Sequence, residues 1–143
     1  MHSAPIRHAA FALLATLALL LGGCATDQRQ DTLTSTLNAY ANAVRWNGVE
    51  DARQFLSPAY RATHPLTPLD LDRYRQLRVS EYDDSAGPQP DGADQVMQVV
   101  KIGLINVNTQ TERSVVDHQV WRYDPASKHW WLVSGLYRLD PSP

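Results

Sequence analysis

The chain has 143 residues, with 13 lysines and arginines against 15 aspartates and glutamates, and a single cysteine. A formal charge of −2 with no basic run or stripe lacks the electrostatic footprint that nucleic-acid binding requires. One cysteine excludes an internal disulfide and a thiolate-rich metal site, and the length suits one domain with its own core.

Met1 to His8 carry one arginine, Arg7, and no acid; an uncharged run rich in leucine and alanine follows from Ala9 to Leu21 and ends in Gly22-Gly23. A positive start, a short apolar core and small residues at its end make a secretory signal. The run is shorter than the ~20 apolar residues of a membrane span. The two glycines oppose its continuation as a core helix.

Leu21-Gly22-Gly23-Cys24 resembles the lipobox of bacterial lipoproteins. The resemblance implies cleavage between Gly23 and Cys24, transfer of a diacylglyceryl group to the Cys24 thiol, and acylation of the new amino terminus with a fatty acid such as palmitate. Membrane lipid would then be the first partner, reached through the acyl chains. Ala25 stands where the inner-membrane retention aspartate would be, which implies the outer membrane, facing the periplasm. Residues 1–23 are read as the signal peptide, 24–31 as the acylated cysteine with a short polar tether, and 32–143 as one domain. Arg7 is the one charged residue lost with the leader, so the formal charge moves from −2 to −3.

Beyond the tether, Leu33, Leu37, Tyr40, Ala41 and Val44 recur at helical spacing and predict an amphipathic helix to about Trp46. Asp31 is its expected N-cap, and Asn47-Gly48 its stop. Val49, Ala52, Phe55 and Leu56 predict a second, shorter helix. Ser57-Pro58 and Thr67-Pro68 each open a further short helix.

From about Arg75 the period shifts toward two. Leu77, Val79 and Glu81 alternate with Arg78, Ser80 and Tyr82, a first strand. Gly87, Pro88, Pro90 and Gly92 mark the stretch from Asp83 to Asp94 as a polar loop. Gln95 to Val107 is apolar on both faces, which predicts a central strand covered on both sides; Gly103 within it suggests a bulge or bend. Glu112 to Asp124 and Trp130 to Tyr137 are the remaining strands, joined at Asp124-Pro125-Ala126-Ser127-Lys128.

Helices followed by about four antiparallel strands give an α+β class. The element order, the glycine in the long strand and the closing Trp-Arg-Tyr-Asp…His-Trp-Trp-Leu-Val-Ser hairpin resemble the nuclear transport factor 2-like superfamily. There a bent sheet wraps a long first helix as a cone, and the sheet often dimerises. The alternative is one helix on a four-stranded cystatin-like sheet.

No residue pattern assigns a catalytic centre, a cofactor or a metal. His64, His118 and His129 stand at no ligand spacing, and neighbouring Asp117 and His118 point to opposite faces of a strand. The expected function is therefore a non-enzymatic binding or assembly module of the cell envelope. Trp121, Tyr123, Trp130 and Trp131 form its candidate interface or pocket, which a second copy or an envelope protein would cover. The alternative is a cavity enzyme. Members of the resembled superfamily use buried carboxylates with tyrosines for proton transfer and dehydration, which would make Asp117 the acid, with Tyr40 and Tyr82 as its partners.

Overall fold

The computed structural model describes residues 25–139; the leader and Cys24 lie outside them. The chain divides into two compact units, Met1–Ser35 and Thr36–Pro143. Residues 25–42 are helical (α1). The stretch expected to be a tether with Asp31 as N-cap is thus helix. No proline or glycine interrupts the chain from Ala25 to Asn47. Thr32 and Thr34 return their hydroxyls to the carbonyls of Gln28 and Gln30, at 2.8 and 3.1 Å, as threonine does when it sits inside a helix.

In the second unit the helix widens into a π turn, Ala43–Asn47, and stops where Gly48 takes φ 89° and donates its N–H to the Ala43 carbonyl. Tyr40 and Val44 are buried as their spacing predicts; Ala43 is buried as well, outside the predicted stripe, while Leu37 and Ala41 are half-buried. α2, Val49–Ala52, runs into a 3-10 turn, Arg53–Phe55. α3, Pro58–Thr63, is capped by Ser57, whose hydroxyl accepts from the Tyr60 N–H. α4, Pro68–Arg75, opens on a capping box: Thr67 Oγ1 accepts from the Asp70 N–H while Asp70 accepts from the Thr67 N–H. Both caps satisfy N–H groups that the first turn of a helix leaves without partners.

The strands are β1 (Leu77–Asp83), β2 (Gln89–Pro90), β3 (Gln95–Asn106), β4 (Glu112–Asp124) and β5 (His129–Leu132). Their antiparallel order is β1-β3-β4-β5, with β2 also on β3. The result is an α+β fold, with helix packed on a curled antiparallel half-barrel. Tyr40 reaches across from the helix to meet Trp121 of β4 edge-on, with ring centroids 5.2 Å apart.

Four details depart from the sequence reading. First, β3 is central, but only its inner face is covered: Val96, Gln98, Val100, Ile102 and Leu104 are buried, while Met97 and Val99 are exposed. Second, the β1–β3 register slips between Val79 and Glu81. The bulge turns Tyr82 inward and sends Glu81 outward to Lys101, 3.4 Å away. Gly103 lies opposite, where a β-carbon would stand 2.6 Å from Ser80 Oγ and 3.0 Å from Glu81 Cβ. The bend therefore needs glycine there for the close approach of the two backbones.

Third, Gln89 and Pro90 in the expected loop pair with β3; an edge position tolerates the proline. Fourth, β5 ends at Leu132, short of Tyr137. Ser134 Oγ accepts the Val120 N–H at 3.1 Å. Gly135 then turns at φ 92°, where any β-carbon would run into the Tyr60 hydroxyl.

Candidate functional site

The inner face of β4 carries Val115, Asp117, Gln119 and Trp121, all buried. Cross-strand pairing sets Gln98 beside Gln119 and Val100 beside Asp117. Gln119 is the hub of this row. Its Nε2 donates to Asp117 Oδ2 at 2.9 Å and to the Tyr82 hydroxyl at 3.1 Å, and its Oε1 accepts from Trp121 Nε1 at 3.2 Å. Both amide hydrogens and one acceptor site are thereby used inside the fold.

Asp117 is 6% exposed. Burial pushes its carboxyl up to about 6, against the pull of the Gln119 hydrogen bond and the nearby His118. Desolvation outweighs them because charging a carboxylate in low dielectric costs more than one neutral donor returns. Tyr40, Tyr74, Tyr82 and Tyr137 all feel the Asp117 charge, and burial raises the phenol pKa of each. Tyr74 donates to the Tyr137 carbonyl at 2.7 Å. Tyr40 OH and Gln98 Oε1, both buried, have no hydrogen-bond partner among the described residues.

Family models, curated proteins and solved structures give no match to this chain. Its chemistry is read from its own side chains.

The structure brings Asp117, Tyr40 and Tyr82 to one interior, with Gln119 between the acid and Tyr82. His118 faces the outer side of the sheet. The four residues of the aromatic cluster do not share one surface. Trp121 and Trp130 are core residues. Tyr123 is half-buried, with its ring 5.2 Å from Trp130. Trp131 alone turns outward, its ring 4.1 Å from His129. Sequence reasoning missed Gln119 and Gln98. Strand parity was the available signal, because Gln119 and Trp121 follow Asp117 at steps of two. Gln98 could be placed only once the register was known. Among the described residues no group of three or more His, Cys, Asp or Glu could hold a metal ion.

The outer face is built by the alternate residues. Met97 pairs with Val120, Val99 with His118, Lys101 with Val116, and Arg122 with Trp131. Met97, Val99 and Val116 are 40%, 43% and 53% exposed, and Val120 and Trp131 are half-buried. The Lys101–Glu81 ion pair borders this apolar strip on one side; on the other, Arg122 donates to Gln95 Oε1 at 3.1 Å.

Proposed function

We propose that this chain is a lipid-anchored protein of the bacterial envelope, held by acylated Cys24 in the periplasm-facing leaflet of the outer membrane. Its domain, of nuclear transport factor 2-like type, works as a non-enzymatic binding and assembly module. The observation that carries the binding role is the outer sheet face, where Met97, Val99, Val116, Val120 and Trp131 surround His118, with Lys101 and Arg122 at the edges. Soluble monomers rarely keep a large contiguous patch of this kind. Apolar and aromatic side chains with a few polar neighbours are the composition of interfaces.

A second copy is the favoured occupant, since an antiparallel face can meet itself across a two-fold axis. An envelope protein is the other candidate. Trp131 is the anchor expected of such a surface. Trp131→Ala should weaken association by about 2 kcal/mol or more, read by sedimentation in detergent, with the unfolding midpoint held. A wild-type chain that stays monomeric and crosslinks to no envelope protein would remove the role.

The anchor is tested separately by feeding cells an alkyne fatty acid. Labelling is expected in wild type and lost in Cys24→Ser; equal labelling of both would refute the lipid attachment.

A cavity enzyme using Asp117 for proton transfer or dehydration is the second reading. The buried carboxyl near pKa 6 and the Tyr40 hydroxyl, without a partner among the described residues, favour it. The binding reading is preferred because Gln119 already engages both Asp117 and Tyr82.

A further inference from the structure

A cavity of about 470 Å³ opens where α4, the lower ends of β1, β3 and β4, and the C-terminal segment meet. That volume lies within the range of small-molecule sites. Its polar wall holds three arginines from three separate elements: Arg73 of α4, Arg113 of β4 and Arg138 near the C-terminus. Arg113 takes the inner-row position opposite Leu104, so the sheet places a guanidinium at the end of its concave face.

Arg75, two residues along the chain from Arg73 and outside the cavity lining, is held by carboxylates. It pairs with Glu50 at 2.7 Å and Asp72 at 3.2 Å. Arg113 and Arg138 have no carboxylate partner among the described residues. Among the described residues Asp70 is the one acid in the wall. Its Oδ2 is taken by the Thr67 N–H at 3.0 Å and the Thr67 hydroxyl at 2.6 Å, so it serves the helix cap. Among the described lining residues, three fixed positive charges stand against one negative, in a chain whose total charge is −2.

The cavity is also two-natured. Leu66, Leu77 and Leu139 line it beside the arginines. A neighbouring cavity of about 410 Å³ shares Leu66, Asp70 and Tyr74 with it and continues over Leu56, Pro65 and Leu136. A head with paired oxygens suits the planar forks of arginine, and an aliphatic chain suits the adjoining wall.

From this arrangement we infer that the cavity binds a free single-tailed anionic amphiphile, a phosphate monoester or carboxylate with a short aliphatic chain. The head sits among Arg73, Arg113 and Arg138 and the tail runs over Leu66 and Tyr74. This site is separate from the outer sheet face and does not depend on that face being an interface.

The test is calorimetric titration of the full chain in phosphatidylcholine nanodiscs, with heats from empty nanodiscs subtracted. Hexyl phosphate is the probe; inorganic phosphate and hexanol are the part-ligands. Hexyl phosphate is expected to bind saturably at one site, and each part-ligand at least about tenfold more weakly. Arg113→Glu should weaken hexyl phosphate by about tenfold or more, and Arg113→Lys should retain part of the binding. Arg122→Glu, the same charge change on the outer face of the same strand, should leave it unchanged.

Arg138→Ala repeats the measurement at a position outside every strand, should Arg113→Glu perturb the fold. Absence of saturable binding, or equal losses in Arg113→Glu and Arg122→Glu, would overturn the site. Equal binding of inorganic phosphate would remove the tail from the assignment, and equal binding of hexanol would remove the anion. Nanodiscs doped with phosphatidate separate the sources. Unchanged hexyl phosphate binding supports a free ligand, and competition by the bilayer lipid overturns it.

Discussion

Trp121→Ala is expected to bring the domain to the edge of unfolding. Trp121 is fully buried, and Tyr40 meets its ring edge-on at 5.2 Å. Truncating a core tryptophan costs about 3–5 kcal/mol in lost burial and cavity. The indole N–H is also the donor to Gln119 Oε1. Its loss leaves that buried oxygen without its partner, a further ~1–3 kcal/mol. The sum approaches the whole net stability of many domains, about 5–15 kcal/mol. Urea denaturation checks it: the midpoint should collapse for Trp121→Ala. Trp121→Phe, which keeps a ring and loses the donor, should fall by only ~1–3 kcal/mol. A Trp121→Ala midpoint close to wild type would mean that the Tyr40–Trp121 contact does not hold the helix to the sheet.

Asp117→Asn should do the opposite and stabilise the protein at neutral pH. The carboxyl titrates near 6 in the folded chain, against an ordinary value of 3.8. Between those values the folded state keeps a proton that the unfolded state has lost. The stability from protonated Asp117 is therefore fully present below about pH 4, declines as pH rises toward 6, and is gone above it. Each pKa unit is worth about 1.36 kcal/mol, so the wild type gives up about 3 kcal/mol across that window.

Asparagine is neutral throughout and its carbonyl can still accept from Gln119. The variant should match wild type near pH 4 and exceed it by up to about 3 kcal/mol at pH 7. Asp70, Asp83 and Asp124, outside the core, have lowered pKa values through local hydrogen bonds and add stability in the opposite sense at lower pH. They are common to both proteins, so the difference between the two melting curves isolates Asp117. An Asp117→Asn protein less stable than wild type at pH 7 would show that the fold requires the charge.

Such a result bears on function as well as stability. A buried acid that costs stability at neutral pH is the kind of group a binding or proton-transfer role retains. The Gln119 bridge holds it beside Tyr82.

Local chemistry made much of this protein legible before any coordinates. Ser57-Pro58 and Thr67-Pro68 specify their helix starts because a hydroxyl cap and a proline at the first position act over a single turn. Leu33, Tyr40 and Val44 declare a helical face, and the hairpin at Asp124 to Lys128 carries its own turn residues. Asp124 accepts there from the Ala126 N–H at 3.0 Å and the Ser127 hydroxyl at 2.6 Å. The opposed directions of Asp117 and His118 follow from strand geometry alone.

What the sequence could not decide were the relations between strands. β3 is apolar on both sides in sequence, and only packing selects the face of Val96, Val100 and Ile102 for the core and leaves Met97 and Val99 outside. The bulge at Val79 and Glu81 reverses parity for the rest of β1, so Tyr82 turns inward against the simple alternation; it needs Gly103 of another strand to fit. Gln119 becomes a hub only because the register sets Tyr82, Asp117 and Trp121 around one amide. The arginine cavity draws on residues as far apart as Arg73 and Arg138. Side-chain convergence across such separations is a property of the curled sheet and its helices, and short-range propensity carries no information about it.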